Sequence, residues 1–250
     1  MVIVTLTAIG VGVATILGAL LGFLFKNLSQ KFSKIILAFA GGIMLSAAFF
    51  GLIIPSLEFG GNLKILITIL GIFAGAICLN FVDKLTPHLH KMIGTDIEEH
   101  KKSNLSKVLL FVIAIAIHNL PEGIAAGVGF GTENQAQGML IALGIALQNI
   151  PEGMVIIFPM LNAGISKKKT FIIASITGLI EVFGTFIGYF AVKFAKVILP
   201  FALAFAGGTM LYVVSDEMIP ETHSDGNKRG VTFSLLIGFC LMLALDVLIA

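Results

Sequence analysis

Eight apolar runs, each close to the length of a membrane span, make up most of this chain of 250 residues. An α-helix needs about 20 apolar residues to cross the hydrocarbon core of a bilayer, so each run predicts one transmembrane helix. Only 12% of the residues are charged, against roughly 25% in soluble domains. The sequence therefore predicts an all-α membrane protein with one transmembrane domain over residues 1–250. The eight spans are residues 2–25, 35–57, 65–82, 108–130, 138–161, 170–192, 197–219 and 231–250.

The basic residues are distributed unequally between the two membrane faces that eight spans define. Only three of the 16 lysines and arginines fall on one face, namely Lys64, Lys193 and Lys196. The positive-inside rule assigns the other, strongly basic face to the cytoplasm. Because the number of spans is even, both termini are then expected outside the cytoplasm. The thirteen residues on the cytoplasmic face are Lys26, Lys31, Lys34, Lys84, Lys91, Lys101, Lys102, Lys107, Lys167, Lys168, Lys169, Lys228 and Arg229.

Two sequence patterns occur twice, each time in spans of opposite direction. Residues 118–123 of span four read His-Asn-Leu-Pro-Glu-Gly, and residues 148–153 of span five read Gln-Asn-Ile-Pro-Glu-Gly. The string Phe-Ala-Gly-Gly-x-Met-Leu begins at Phe39 in span two and at Phe205 in span seven, followed by Pro55 and Pro220. Inverted repeats with interrupted helices are a recurrent plan of secondary transporters, which predicts a bundle of three, two and three spans. Close helix packing through small residues is the alternative explanation for the outer pair.

The repeated central string places ligand-capable side chains on one face of each helix. Residues four apart share a helical face, so His118 projects with Glu122 and Gln148 projects with Glu152. Each proline also leaves the backbone carbonyl four residues earlier without its helical donor. Span six adds a third intramembrane carboxylate. The candidate ligands are His118, Asn119, Glu122, Gln148, Asn149, Glu152 and Glu181.

The three glutamates need positive charge that their own helices do not provide. Each ionised acid at the bilayer centre opposes insertion by about 3 kcal/mol, and Lys and Arg occur only near span ends. Imidazole nitrogen with carboxylate and amide oxygen suits Zn²⁺, Fe²⁺, Mn²⁺, Co²⁺ or Cd²⁺, whereas the lack of thiolate disfavours Cu(I). Two alternatives stay open. The carboxylates can share protons, or the polar groups can form a neutral hydrogen-bonded cluster that fixes helix register.

Two further groups of polar residues lie toward the cytoplasmic face. The loop over about residues 84–107 carries histidines placed to capture metal released inside, and a solvated charged loop is the alternative. These histidines are His88, His90 and His100. Span seven ends in a polar segment that is a candidate exit or gating site, and its candidate ligands are Glu217, Glu221 and His223.

On these residues the sequence resembles the ZIP (Zrt/Irt-like protein) family of divalent metal transporters, and within it the GufA-like bacterial branch. The resemblance covers all eight spans and rests on the two Asn-x-Pro-Glu-Gly strings, Glu181, the Gly-Gly-x-Met strings and Pro-Glu-x-His in span seven. It implies eight helices in a three-two-three inverted arrangement with both termini outside, in agreement with the charge distribution. The expected location is the cell membrane, as a multi-pass protein of the bacterial inner membrane.

The resemblance also implies which residues hold metal. A first ion would be held by His118, Glu122, Gln148 and Glu152. A second would be held by Asn119, Glu122, Asn149, Glu152 and Glu181, with Glu122 and Glu152 bridging the two ions. Gln148 stands where many members carry a second histidine, so a neutral oxygen ligand replaces a nitrogen ligand in the first site.

The expected activity is inward transport of a divalent transition metal, Zn²⁺ first, with the metal as cargo rather than cofactor and with no enzymatic reaction. An intramembrane metallohydrolase is a rival, since His with Glu can activate a metal-bound water, although the sequence contains no His-Glu-x-x-His. A proton channel without metal is the third reading. The expected partners are divalent metal ions and membrane lipid, with no nucleic acid. A homodimer is compatible with the sequence, which leaves the oligomeric state open.

Overall fold

The computed structural model describes residues 1–24, 30–85, 119–131, 135–162, 164–224 and 228–249 of the chain. These ranges are almost wholly helical and contain no β-strand. In chain order the α-helices are α1 (Val2–Leu24), α2 (Gln30–Ser46), α3 (Ile54–Phe59), α4 (Lys64–Leu85), α5 (119–129), α6 (Gln135–Asn162), α7 (Lys167–Phe194), α8 (Leu199–Val213), α9 (Ile219–His223) and α10 (Lys228–Ile249).

Seven helical segments in the described ranges are long and apolar enough to cross a membrane. They coincide with seven of the eight predicted spans, so the prediction of a helical membrane protein is confirmed. Span four was predicted over residues 108–130, of which the structure describes only the part from Asn119 onward, as α5. The loop histidines His88, His90 and His100 and the candidate ligand His118 lie outside the described residues.

Spans two and seven each contain a turn of π-helix. In span two the π-helical turn Ala47–Ile53 joins α2 to α3, and in span seven the turn Val214–Met218 joins α8 to α9. In each span a single residue separates the turn from a proline, Pro55 or Pro220. Proline lacks the N–H that would continue the regular helical ladder, and π-helical turns occur frequently at functional sites. The two spans that share the Gly-Gly string therefore also share a local change of helix type.

The spans pack as two groups of four helices. The helices α1, α5, α6 and α7 form the first group, in which α1 packs on both α6 and α7 and Gly123 of α5 lies against Glu181 of α7. We call this group the site bundle. The second group contains spans two, three, seven and eight, in which α4 packs on α8 and α10 packs on α2. We call it the flanking bundle.

Equivalent glycines of the outer repeat make equivalent packing contacts. A Cβ added to Gly42 of α2 would collide with the backbone carbonyl oxygen of Leu235 in α10. One added to Gly208 of α8 would collide with the carbonyl oxygen of Ile72 in α4. Each is the second glycine of its Gly-Gly pair. Span two of the first half thus packs on span eight of the second half, and span seven packs on span three.

At two glycines on the boundary between the two bundles, the nearest atoms of the neighbouring helix belong to side chains rather than to the backbone. Gly144 of α6 faces the thioether of Met242 in α10, and Gly51 of span two faces the side chain of Ile141 in α6. Ile141 and Met242 are almost fully buried in a continuous apolar core. Met is unbranched and adapts its shape to its surroundings, so this interface is softer than the glycine contacts inside each bundle.

Candidate metal site

The polar residues of the central strings are buried inside the site bundle. Asn119 is 5% exposed, Glu122 1%, Gln148 0% and Glu181 0%, and Asn149 is also buried. A polar group removed from water destabilises the fold unless a hydrogen bond or an ion compensates it. The partners of these side chains therefore determine what the site can bind.

Glu181 accepts hydrogen bonds from three different helices. Thr15 Oγ1 of α1 donates to Glu181 Oε1 over 2.8 Å, and Asn119 Nδ2 of α5 donates to the same oxygen. Asn149 Nδ2 of α6 donates to Glu181 Oε2 over 2.6 Å. The structure thus brings the two asparagines of the repeated string together on the glutamate of span six.

Glycines allow the helices to approach closely enough for these hydrogen bonds. A Cβ on Gly123 would overlap the backbone of Glu181, and one on Gly153 would overlap the carbonyl oxygen of Thr15. These are the last residues of the two central strings. Gly123 therefore holds α5 against α7 at the level of Glu181, and Gly153 holds α6 against α1 at the level of Thr15.

Glu122 and Gln148 form a second polar contact, between α5 and α6. Gln148 Nε2 donates to Glu122 Oε1 over 2.8 Å. Within the described part of the chain, three buried side-chain oxygens of the two central strings have no hydrogen-bond partner: Glu122 Oε2, Gln148 Oε1 and Asn149 Oδ1. The two amide oxygens can only accept a hydrogen bond or coordinate a cation, and the same holds for Glu122 Oε2 when its carboxyl group is ionised. The site therefore offers oxygen ligands to a positively charged or hydrogen-donating guest.

Glu152 lies one helical turn after Gln148 on the same face of α6 and is half-buried. It interacts electrostatically with both Glu122 and Glu181. The sequences of α1, α5 and α6 contain no Lys or Arg, and α7 carries Lys only near its ends. The structure thus places the three carboxylates in one bundle, on helices whose described ranges carry Lys only near the ends of α7.

Pro151 does not interrupt α6. The helix continues from Gln135 to Asn162 without a change of type, unlike the π-helical turns before Pro55 and Pro220. The ligand-bearing face of span five is therefore a regular helical face, which keeps Gln148 and Glu152 in line.

The chain was compared with known proteins. A family model described as ZIP Zinc transporter matches residues 90–246. The chain is 38% identical over 241 residues to the zinc transporter GufA of Myxococcus xanthus, and the match covers 94% of each chain. It is 34% identical over 245 residues to the zinc transporter ZIPB of Bordetella bronchiseptica, covering 93% of this chain and 77% of that protein. This chain belongs to the ZIP family.

A third relative has nearly the same length. The zinc transporter ZupT of Chlorobaculum parvum is 34% identical over 253 residues, covering 95% of this chain and 94% of that protein. The resemblance read from the motifs is therefore confirmed for the ZIP protein as a whole and is not restricted to the central strings.

The described residues of this ZIP protein contain no group of three or more His, Cys, Asp or Glu side chains that could hold one metal ion. The buried amide oxygens Gln148 Oε1 and Asn149 Oδ1 have no hydrogen-bond partner among the described residues. The nitrogen ligand expected from sequence, His118, precedes the described part of α5.

The candidate exit residues lie at the end of span seven. His223 Nδ1 lies 2.9 Å from the carbonyl oxygen of Ile219, which can only accept, so Nδ1 carries a proton. In the neutral ring the lone pair is then on Nε2. Nε2 lies 3.2 Å from Thr232 Oγ1 of α10. The last described turns of span seven also hold Glu217 and Glu221. His223 thus presents a nitrogen of the kind that binds metal.

Sequence reasoning missed Thr15. An isolated threonine in the apolar run of span one gives no signal, because a threonine hydroxyl usually bonds to its own helix. Thr177 does so, donating to the carbonyl oxygen of Ala174 over 2.9 Å. Thr15 differs because Gly153 and Gly12 bring α1 close to α6 and α7, which a single sequence does not show.

Proposed function

We propose that this ZIP protein transports divalent transition metal ions, Zn²⁺ first, across the cell membrane into the cytoplasm. The observation that carries the proposal is the set of three buried oxygens that have no donor among the described residues. They lie on α5 and α6, whose sequences contain no Lys or Arg. A divalent cation satisfies the oxygens and compensates the charge together. The relatives GufA, ZIPB and ZupT, each named a zinc transporter, support the same cargo.

The proposed ligands of the ion are His118, Glu122, Gln148 and Glu152. Glu122 and Gln148 already face each other across α5 and α6. His118 lies four residues before Glu122, and Glu152 four residues after Gln148, so each extends the same helical face by one turn. The amide oxygen of Gln148 makes this shell less nitrogen-rich than one with two histidines, which favours passage of Mn²⁺, Fe²⁺, Co²⁺ and Cd²⁺ beside Zn²⁺.

The proposed topology has both termini outside and the three-two-three inverted repeat in the membrane. The equivalent contacts of Gly42 and Gly208 with spans eight and three support the outer repeat. The contacts of Gly123 with span six and of Gly153 with span one support the inner repeat in the same way. The ion would enter from outside and leave toward Glu217, Glu221 and His223, and then toward the loop histidines His88, His90 and His100.

Alternating access would come from rocking of the site bundle against the flanking bundle, as in other inverted-repeat transporters. Glycine contacts between backbones hold each bundle together, whereas the adaptable side chain of Met242 lies between the two bundles. Movement at that interface requires only repacking of side chains, and it leaves the polar contacts around Glu181 intact.

Uptake of Zn²⁺ into proteoliposomes that contain a zinc-sensitive dye tests this function. We expect uptake by the unaltered protein, a rate reduced to that of empty liposomes for Glu152→Gln, and a strongly reduced rate for His118→Ala. Glu58→Gln is the matched control, because it makes the same chemical change on an exposed side chain at the end of span two. Undiminished uptake by both site variants would refute the assignment.

The same preparation distinguishes the two rival functions. Metal-dependent peptide hydrolysis without metal flux would replace the transporter by an intramembrane metallohydrolase. Proton flux that is independent of added metal, with no uptake of Zn²⁺, would replace it by a proton channel.

A further inference from the structure

Protein donors already occupy both carboxylate oxygens of Glu181. A carboxylate has two oxygens with about four acceptor positions, and here Thr15 and Asn119 donate to one oxygen while Asn149 donates to the other. Hydrogen bonds to an ionised group are roughly twice as strong as neutral ones. Glu181 is therefore stabilised inside the bilayer by donors from three helices.

These hydrogen bonds fix the orientation of the Asn149 amide. A carboxylate only accepts, so the amide must turn its NH₂ group toward Glu181, and its oxygen then points away from Glu181. Asn149 Nδ2 is held further by the carbonyl oxygen of Val11, at 3.3 Å. Among the described side chains, Asn149 Oδ1 is one of the buried acceptors without a donor. The amide thus presents an oxygen on the side opposite Glu181.

The acidic ligands left available to a cation then favour one divalent ion in the site. With Glu181 held by three donors, Glu122 and Glu152 remain as acidic ligands, and their two negative charges match one divalent cation. A second ion bound at Glu181 would require Asn119, Asn149 and Thr15 to release the carboxylate. Within the ranges that the structure describes, the three glutamates do not converge on one point as a metal-holding group.

We propose that Glu181 and Thr15 are positioning residues of a pathway that carries one divalent ion per chain. Glu181 does not coordinate the ion but holds the amides of Asn119 and Asn149, so that Asn149 turns its oxygen toward the ion, and Thr15 holds Glu181. The inference rests on the proposed transport of divalent metal. It replaces the second ion that the family resemblance implied.

Asn149 determines the number of ions in this arrangement. An aspartate at that position would place a second acid against Glu181 instead of a donor, and two adjacent carboxylates repel unless a cation or a proton lies between them. Asn149→Asp should therefore create a binding place for a second divalent cation, and Glu181 would then become a ligand.

Counting bound Zn²⁺ in the purified full-length protein tests the inference. After equilibrium dialysis, elemental analysis should give one ion per chain for the unaltered protein and two for Asn149→Asp. Glu181→Gln should still bind one ion, with an affinity reduced about 10- to 100-fold, as is typical when a residue that orients a metal ligand is changed. Two ions in the unaltered protein, falling to one in Glu181→Gln, would overturn the inference.

The role of Thr15 is tested by transport kinetics. Thr15→Val removes the hydroxyl but keeps the shape, and should raise the KM for Zn²⁺ several-fold while one ion remains bound. Thr15→Ser should restore the KM, because it restores the donor. Thr177→Val is the matched control, a buried threonine of α7 whose hydroxyl bonds to its own helix, and its KM should not change. An unchanged KM in Thr15→Val would overturn the positioning role.

The outcomes for the two proposals are separable. Zn²⁺ uptake by the unaltered protein together with two bound ions would overturn the one-ion pathway and leave the transport function in place. Absence of uptake by the unaltered protein would overturn the transport function itself.

Discussion

Replacement of Gly123 by alanine should separate α5 from α7 and slow metal transport. A Cβ at this position would lie 2.8 Å from Glu181 Cα and 2.9 Å from Glu181 C. Non-bonded carbon atoms prefer a separation of about 3.5–4.0 Å, so the helices must move apart by about 1 Å. The atoms of Glu181 involved belong to the backbone and cannot rotate out of the way.

The displacement reaches the proposed ion site directly. Asn119 precedes Gly123 by one turn and donates to Glu181. Glu122 is the residue immediately before Gly123. Overpacking a well-packed interior costs about 1–3 kcal/mol. A shift of about 1 Å in a functional group can lower a rate about 100-fold, so we expect Zn²⁺ uptake to fall by about 10- to 100-fold.

Gly10→Ala is the matched control for this prediction. Gly10 also lies in the site bundle, but a Cβ there would meet nothing within 4 Å. Alanine favours the helix over glycine by about 1 kcal/mol, so Gly10→Ala should leave uptake unchanged and the thermal midpoint equal or higher. The assay is the initial rate of Zn²⁺ uptake per inserted protein. A Gly123→Ala protein with the uptake rate and thermal midpoint of Gly10→Ala would show that the close approach of α5 and α7 is not required.

Three further predictions concern other parts of the molecule. Gly42→Ala and Gly208→Ala should each lower the free energy of unfolding by about 1–3 kcal/mol, which is measured as a lower thermal midpoint in detergent. A marked effect in only one of the two variants would argue against equivalent packing. Gln148→His should raise the affinity for Zn²⁺ relative to that for Mn²⁺, because imidazole nitrogen suits zinc. Competition dialysis measures the ratio of the two affinities, and an unchanged ratio would exclude Gln148 as a ligand. Ser56→Ala should lower the free energy of unfolding by about 1–3 kcal/mol, because the Ser56 hydroxyl bonds to Thr68 and to the carbonyl oxygen of Pro200. The KM for Zn²⁺ should stay constant. A raised KM would connect this end of the flanking bundle to the site.

Much of the fold could be predicted from the sequence because the lipid environment constrains it strongly. An apolar run must form its hydrogen bonds within itself, so its length alone indicates a helix. The helix types of spans two and seven were harder to predict from the sequence. The Gly-Gly and proline positions indicated an interruption. Pro55 follows a π-helical turn, whereas Pro151 lies in a continuous α-helix. Which of the two occurs depends on packing with other spans.

The candidate site was only partly predictable for a related reason. Helical periodicity places Gln148 and Glu152 on one face, and any single sequence shows it. The direction of an amide is different, because it depends on which acceptor lies beside it. Only the packing of α7 against α5 shows that Asn119 and Asn149 turn their nitrogens toward Glu181. Thr15 remained hidden because its partner is 166 residues away in the chain.

Span two in the first half of the chain packs on span eight in the second half, and this pairing affects the order in which the helices assemble in the membrane. Gly42 of α2 packs on Leu235 of α10, 193 positions later in the sequence. At about 5–20 residues synthesised per second, roughly 10–40 s separate the emergence of these two helices. During that interval α2 stands in the bilayer with its glycine face against lipid or the insertion machinery. The flanking bundle can close only after the last helix has been inserted, whereas all four helices of the site bundle precede span seven in the chain. The site bundle can therefore form first, and the flanking bundle closes last.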